Sequence, residues 1–270
     1  MSNTITREEG VEIIISLYRP DSDSHKGQNG KVMVVGGSYL FHAASLWALE
    51  VASRIVDMVF YSSVPSNNEI VNKLKEEFRN GIVVPREEIE SYIEEADAVL
   101  IGPGMERTDE TKKLTEGLFK KYPFKKWVVD AGALQMTDPN LIPKNSIITP
   151  HHQEFQRMFG VVGTEDTAFE MAKKYNIVVL LKGKEDVVCT SEKCVRVAGG
   201  NAGMTKGGTG DVLAGLVTAL YAKNDARTSA IGASYLNKLA GDRLFEKQDF
   251  MYNASDLSRE IPVVYRECLE

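Results

Sequence analysis

The 270-residue sequence predicts an α/β fold in which a central, mostly parallel sheet carries helices on both faces. Three observations lead there. Short apolar runs alternate with segments of helical periodicity, some of the runs are apolar on both faces, and nearly every run ends in small residues. Strands are expected at 31–35, 58–62, 81–84, 98–101, 127–130, 146–149 and 177–181, where Val-Val-Leu-Leu at 178–181 is the clearest doubly covered run. Helices are expected between them at 43–56, 67–78, 87–95, 109–121 and 164–175. Runs at 186–190 and 193–197, joined by Ser191-Glu192, read as a small antiparallel hairpin at one edge. Val212, Leu213, Leu216, Val217 and Leu220 define the buried face of a further helix, and two long helices near 227–245 and 255–267 close the chain. No Pro/Gly/Ser-rich linker or repeat divides the sequence, so residues 1–270 are expected to form one domain.

Composition narrows the function classes. Hydrophobic residues make up 43% and charged residues 26%, an ordinary balance for a globular enzyme. A net charge of −6 and a pI near 5.4 argue against nucleic acid or an anionic membrane as partner, so an anionic ligand needs a local site. There is no basic, apolar leader at the N-terminus and no run approaching the 18 apolar residues of a membrane span. Cys189, Cys194 and Cys268 form no even framework and are expected as reduced thiols in a cytoplasm; without a second Cys/His pair, zinc is not expected.

In an open parallel sheet, ligands sit beyond the carboxyl ends of the strands. Gly36-Gly37-Ser38, Gly102-Pro103-Gly104, Asp130-Ala131-Gly132, Thr149-Pro150-His151 and Lys182-Gly183 end successive strands. Any one of them is explained by a tight turn; together they leave open space along one rim. His151 reads either as a helix-start residue or as a ligand contact, Lys182 as a solvated strand end or a binding group, and Asp130 as a turn former or pocket residue. Asp130 is assigned no chemistry.

The stretch from Asn201 to Asp211 is the most specific feature. Six of the sixteen residues from Gly200 to Gly215 are glycine, directly ahead of the apolar helix. Glycines there let first-turn N–H groups point outward, and with the helix dipole they form an anion site. Asp211, beside a place suited to phosphate, is the candidate general base. The pattern is not the phosphate loop that ends Gly-Lys-Ser/Thr, because no lysine follows the last glycine. The bland alternative is a turn followed by an acidic residue that favours the dipole; the number of glycines weighs against it.

The order of motifs resembles the NAD(P)H-hydrate dehydratases, carbohydrate-kinase-like repair enzymes of the ribokinase-like superfamily. The resemblance is carried by His25-Lys-Gly with Gly30 to Ser38, Ile101-Gly-Pro-Gly104, Val129-Asp-Ala-Gly-Ala-Leu134, Ile148-Thr-Pro-His151 with Glu154-Phe155, Leu181-Lys-Gly183, and Gly203 to Asp211. It spans about residues 25–257. It implies phosphorylation of the ring hydroxyl of hydrated NADH or NADPH by ADP or ATP, then loss of phosphate, with AMP or ADP released. It further implies Asp211 as base, Ala43, Gly104, His151 and Asp211 against the hydrated dinucleotide, and Lys182, Gly183, Lys184, Glu185, Asp186 and Gly210 against the adenine nucleotide. Backbone donors of Gly207, Gly208, Thr209 and Gly210 would hold the transferring phosphoryl group, while Asn201 and Lys206 shape the site. Mg²⁺ would be held through phosphates and water, and a homotetramer is implied.

Three positions depart from the family pattern. Phe41-His42 stand where Pro-Gly is usual, His152-Gln153-Glu154 follow Thr-Pro-His, and Glu185-Asp186 replace a threonine, adding negative charge near the nucleotide. With about 24 residues ahead of His25, the epimerase domain that precedes this one in many relatives is expected to be absent. The alternative function is a small-molecule kinase of the same superfamily acting on a hydroxyethylthiazole, a hydroxymethylpyrimidine or a sugar. A non-catalytic nucleotide sensor is disfavoured by the intact Asp211.

Overall fold

A computed structural model describes residues 3–74 and 80–270. Nine strands form one sheet: β1 (Lys31–Val35), β2 (Met58–Ser62), β3 (Ile82–Val83), β4 (Ala98–Ile101), β5 (Lys126–Val129), β6 (Ile147–Ile148), β7 (Val178–Leu181), β8 (Asp186–Cys189) and β9 (Cys194–Val197). Their order is β3-β2-β1-β4-β5-β6-β7-β8-β9; the first seven are parallel, and β8 and β9 are antiparallel. The strand order reverses between β1 and β4, which is the topological switch point of the sheet.

Alternate residues of the same strands enter two separate cores. Val32, Val34, Leu100, Val128 and Leu180 face one side, where they meet α2 (His42–Ala52), α9 (Thr209–Lys223), α10 (Ala226–Gln248) and α11 (Ala254–Glu267). Met33, Val35, Ile101, Val129 and Leu181 face the other, against α4 (Ile89–Glu95), α5 (Asp109–Lys121), α6 (Ala131–Met136), α7 (His152–Phe159) and α8 (Glu165–Tyr175). Both faces being buried is why these strands read as continuous apolar runs instead of alternating ones.

The expected fold class stands, with local differences. The strand expected at 81–84 is only Ile82–Val83, and the helix expected from residue 87 begins as a single 3-10 turn, Arg86–Glu88. The helix expected at 67–78 corresponds to α3 (Pro65–Leu74), and its expected continuation through 75–78 lies outside the described residues. An additional helix, α1 (Arg7–Ser16), is started by a reciprocal Thr6/Glu9 capping box. Among the described residues, no helix is long and apolar enough to cross a membrane.

The expectation of three reduced thiols is corrected. Cys189 and Cys194 are joined by a disulfide across the β8–β9 hairpin, and only Cys268 is free. Thr190 and Lys193 close the turn by a backbone hydrogen bond, which leaves the adjoining Cys189/Cys194 pair non-hydrogen-bonded. Facing residues approach most closely at such positions, here with 4.1 Å between Cα atoms. The cysteine count therefore carries no argument for a reducing compartment. Alkylation of the denatured, unreduced protein is expected to label Cys268 alone; labelling at Cys189 and Cys194 contradicts the bridge.

Helix α9 lies against α2 at a crossing that depends on Gly215, where an added Cβ would stand 2.6 Å from the Cα and carbonyl oxygen of Ala48. Those neighbours are backbone and cannot swing aside. Gly215→Ala is thus expected to lower stability by roughly 1–3 kcal/mol through overpacking. This holds although alanine is the better helix former by about 1 kcal/mol. Denaturant unfolding checks the sign, and a stabilised variant would refute the close approach.

Candidate active site at the start of helix α9

The lead-in to α9 is folded by its own side chains and backbone. Gly208, the residue before the helix, has φ +97, and a Cβ there would lie 2.4 Å from the Trp47 ring, so the turn admits only glycine. The Thr209 hydroxyl donates to the carbonyls of Met204 (2.6 Å) and Lys206 (2.9 Å), drawing the preceding turn onto the helix. First-turn N–H groups have no partner within an α-helix, and here that of Thr209 donates to the Lys206 carbonyl at 3.4 Å. Gly210 lines a cavity of about 440 Å³, and its neighbour Asp211 lines a second of about 470 Å³. The start of α9 thus contributes to two cavities.

The Gly210 cavity brings together Lys182, Gly183, Lys184, Asp186, Asn201, Thr209 and Gly210. Glu185, Gly207 and Gly208 are not on its wall. Glu185 is exposed and lies 3.9 Å from Arg196. Asp186 accepts from the Gly183 N–H (3.0 Å) and the Ser234 hydroxyl (2.8 Å), and the Lys238 ammonium is 3.5 Å away. The two carboxylates that depart from the family pattern are thus turned outward and neutralised, respectively. Lys238 also donates to the carbonyls of Gly183, Lys184 and Gly199, which fixes the loop after β7. Sequence reasoning missed it, because Lys238 lies on a helix that buries Ser234 and Asn237 as well and nothing local distinguishes it. Asn201 spends its side chain within the fold, donating to the Gly241 carbonyl and accepting from Gly203 N–H and the Tyr252 hydroxyl. Lys206 turns away from the cavity to the carbonyls of Phe250 and Tyr252. Asn237, also missed, lines the cavity with a buried side-chain oxygen that has no partner among the described residues.

The Asp211 cavity brings together Gly104, His151 and Asp211. Ala43 lies in the first turn of α2 but off the wall, which is formed instead by Phe41 and Ala44. His151 starts α7 and also lines this cavity. Its Nδ1 accepts from the N–H groups of Gln153 (3.1 Å) and Glu154 (3.2 Å) to cap α7, while its ring lines the cavity. Glu154 returns the cap by accepting from the His151 N–H at 2.9 Å.

Between the cavities, Lys182 is not a solvated strand end. Its ammonium donates to Asp130 at 3.0 Å and stands 3.8 Å from Glu154. Asp130, only 2% exposed, also accepts from the buried Thr149 hydroxyl at 2.8 Å. Gln135 donates to the other Glu154 oxygen at 3.1 Å and is bonded in turn by Arg157. Burial pulls the Lys182 ammonium down, but Asp130, Glu154 and Asp211 outweigh it and hold its pKa above the ordinary value. The Asp211 carboxyl is pushed up to about 7, by burial first and then by the charge of Asp130 and Glu154, against the opposing effect of Lys182.

A raised carboxyl pKa in the fold is a stability cost that appears as pH rises. Asp211→Asn is therefore expected to stabilise the protein by on the order of 1–2 kcal/mol at pH 8. The gain should grow between about pH 4, where the unfolded carboxyl ionises, and about pH 7, and vanish in acid. Denaturant unfolding across that range tests it; a pH-independent difference would contradict the electrostatic origin.

Comparison with known proteins agrees with this geometry. The sequence profile of the family described as NAD(P)H-hydrate dehydratase matches residues 32–263. The chain is 37% identical over 261 residues to the bifunctional NAD(P)H-hydrate repair enzyme of Methanocaldococcus jannaschii, covering 93% of this chain and 51% of that protein. It thus spans about half the length of that relative and of the similar bifunctional enzyme from Archaeoglobus fulgidus. It is 34% identical over 266 residues to the ADP-dependent (S)-NAD(P)H-hydrate dehydratase of Nitrosopumilus maritimus, covering 91% of each. The fold matches the ADP/ATP-dependent NAD(P)H-hydrate dehydratase of Bacillus subtilis, co-crystallised with ATP and Mg²⁺, with a TM-score of 0.83 at 24% identity over 99% of both chains. The profile match over residues 32–263, together with relatives 34–37% identical over most of the sequence, places this chain in the NAD(P)H-hydrate dehydratase family.

Proposed function

We propose that the protein restores hydrated NADH or NADPH to the normal cofactor at the expense of ADP or ATP. The observation that supports this best is that the adjacent residues Gly210 and Asp211 line two different cavities. A nucleotide in the Gly210 cavity would point its terminal phosphoryl group at the first turn of α9. A hydroxyl-bearing ring in the Asp211 cavity would approach the same turn.

Asp211 takes the proton of the ring hydroxyl as that oxygen attacks phosphorus, and the AMP or ADP oxygen leaves. The ring C–O bond then breaks, phosphate carries away the electron pair, and loss of a ring proton restores the double bond. The N–H groups opening α9 hold the charge that develops on the phosphoryl oxygens. Lys182, anchored by Asp130, supplies positive charge at the junction. Asn237 offers an unpaired acceptor on the nucleotide side, suited to an exocyclic amine. Among the described residues there is no cluster of three or more His, Cys, Asp or Glu able to hold a metal. Mg²⁺ would accordingly sit on phosphate oxygens and water, where it neutralises phosphate charge. Cytoplasmic location and a homotetramer belong to the same reading, and light scattering checks the latter.

The test is incubation of hydrated NADH with ADP or ATP and Mg²⁺, with recovery of the reduced-nicotinamide absorbance expected. No recovery with either nucleotide, together with turnover of a thiazole alcohol, would favour the small-molecule kinase. Asp211→Asn should leave nucleotide binding nearly intact and lower kcat by ~10²-fold or more. Because the base works ionised, kcat/KM should climb as pH rises through about 7 and level off above it. A profile flat across that range would remove Asp211 from the proton transfer.

A further inference from the structure

A third cavity, of about 660 Å³, adjoins the Asp211 cavity and shares Met105 and Glu106 with it. It lies at the carboxyl ends of β1 and β4, where the strand order reverses and open α/β sheets form their ligand crevice. Arg86 lines it. One guanidinium nitrogen donates to the Gly36 carbonyl at 3.3 Å, while Nη1 is buried with no hydrogen-bond partner, and Arg86 has no ion pair among the described residues. Leaving such a group unpaired is costly unless a ligand completes it. Burial lowers the Arg86 pKa to about 10, so it is cationic at neutral pH. Lys113 adds a second, exposed cation at the rim. Tyr39 and Phe41, both exposed, connect the two cavities, for Tyr39 lines this one and Phe41 lines the other.

From this arrangement we infer that the Arg86 cavity holds the distal, phosphate-bearing half of the dinucleotide, with the Arg86 guanidinium donating to a phosphoryl oxygen. The inference rests on the proposed function for the identity of the dinucleotide. The nicotinamide half occupies the Asp211 cavity, and the chain of the ligand passes over Met105 and Glu106. Glu106 and Glu110, the carboxylates on this wall, repel phosphate but accept from ribose hydroxyls, which keeps the phosphoryl contact at the arginine end. A guanidinium fork suits phosphate oxygens better than a lone ammonium does.

Calorimetric titration of the full-length protein with NADPH, NADH and reduced nicotinamide mononucleotide tests this directly. Arg86→Gln is expected to weaken NADPH binding tenfold or more while leaving ADP affinity and the mononucleotide unchanged. Loss shared by NADPH and NADH identifies the diphosphate as the partner; loss confined to NADPH identifies the 2′-phosphate. Unchanged NADPH affinity, an equal loss for the mononucleotide, or no NADPH binding by the wild type at millimolar concentration would each overturn the inference. Should Arg86→Gln fail to fold, Lys113→Gln decides, with a two- to threefold weakening expected and no change counting against. Dehydration of hydrated NADH by the wild type, scored separately, distinguishes failure of the subsite from failure of the functional reading.

Discussion

The site depends on the pairing of Lys182 with Asp130 between two cavities. An ammonium drawn out of water is tolerated only where carboxylates surround it, and three stand within its influence. One cation among three carboxylates leaves the cluster short of positive charge. Asp130, fixed by Thr149 and Lys182, and Glu154, fixed by the α7 cap and Gln135, have partners of their own. Burial first, and then the charge of Asp130 and Glu154, drives the Asp211 carboxyl toward neutral pH. A carboxyl with that property can hold and release a proton near pH 7.

The sheet supplies the frame for that cluster by bringing together residues far apart in sequence. Asp130 follows β5, Thr149 follows β6, Lys182 follows β7 and Asp211 lies in the first turn of α9; all meet because parallel strands deliver their carboxyl ends to one rim. Ala131, with φ +45, bends the chain sharply from β5 into α6 and keeps the Asp130 carboxylate at the floor of the rim. On the nucleotide side, Lys238 of α10 ties the β7–β8 loop to the Gly199 turn, so the cavity wall is held by a buried cation and not by its own sequence.

The strands and most helices were legible locally, since doubly covered strands are apolar throughout and the intervening helices keep their period. The short strand Ile82–Val83 was overread because its apolar residues sit at an edge, and α1 was overlooked because Ile13, Ile14 and Ile15 run consecutively instead of keeping a helical period. The disulfide escaped notice for a different reason: two cysteines bracketing a turn become partners only when the hairpin register sets them opposite one another. Among the site residues, Gly104, His151, Lys182, Asn201, Gly210 and Asp211 line the cavities. The Asn201 and Lys206 side chains also hold the lead-in together, and Glu185 faces away. Linear proximity to a motif does not reveal which way a side chain turns.

The amino-acid sequence by itself determined the α/β class, the glycine-led helix and the carboxylate at its start, because these follow from periodicity and from the conformations glycine permits. Tertiary structure alone decided the charge state of that carboxylate, the anchoring of Lys182 and Lys238, and the unpaired guanidinium of Arg86. Each of those is a property of burial and of neighbours contributed by other elements, and electrostatic energies are set by distances in space that no local pattern encodes.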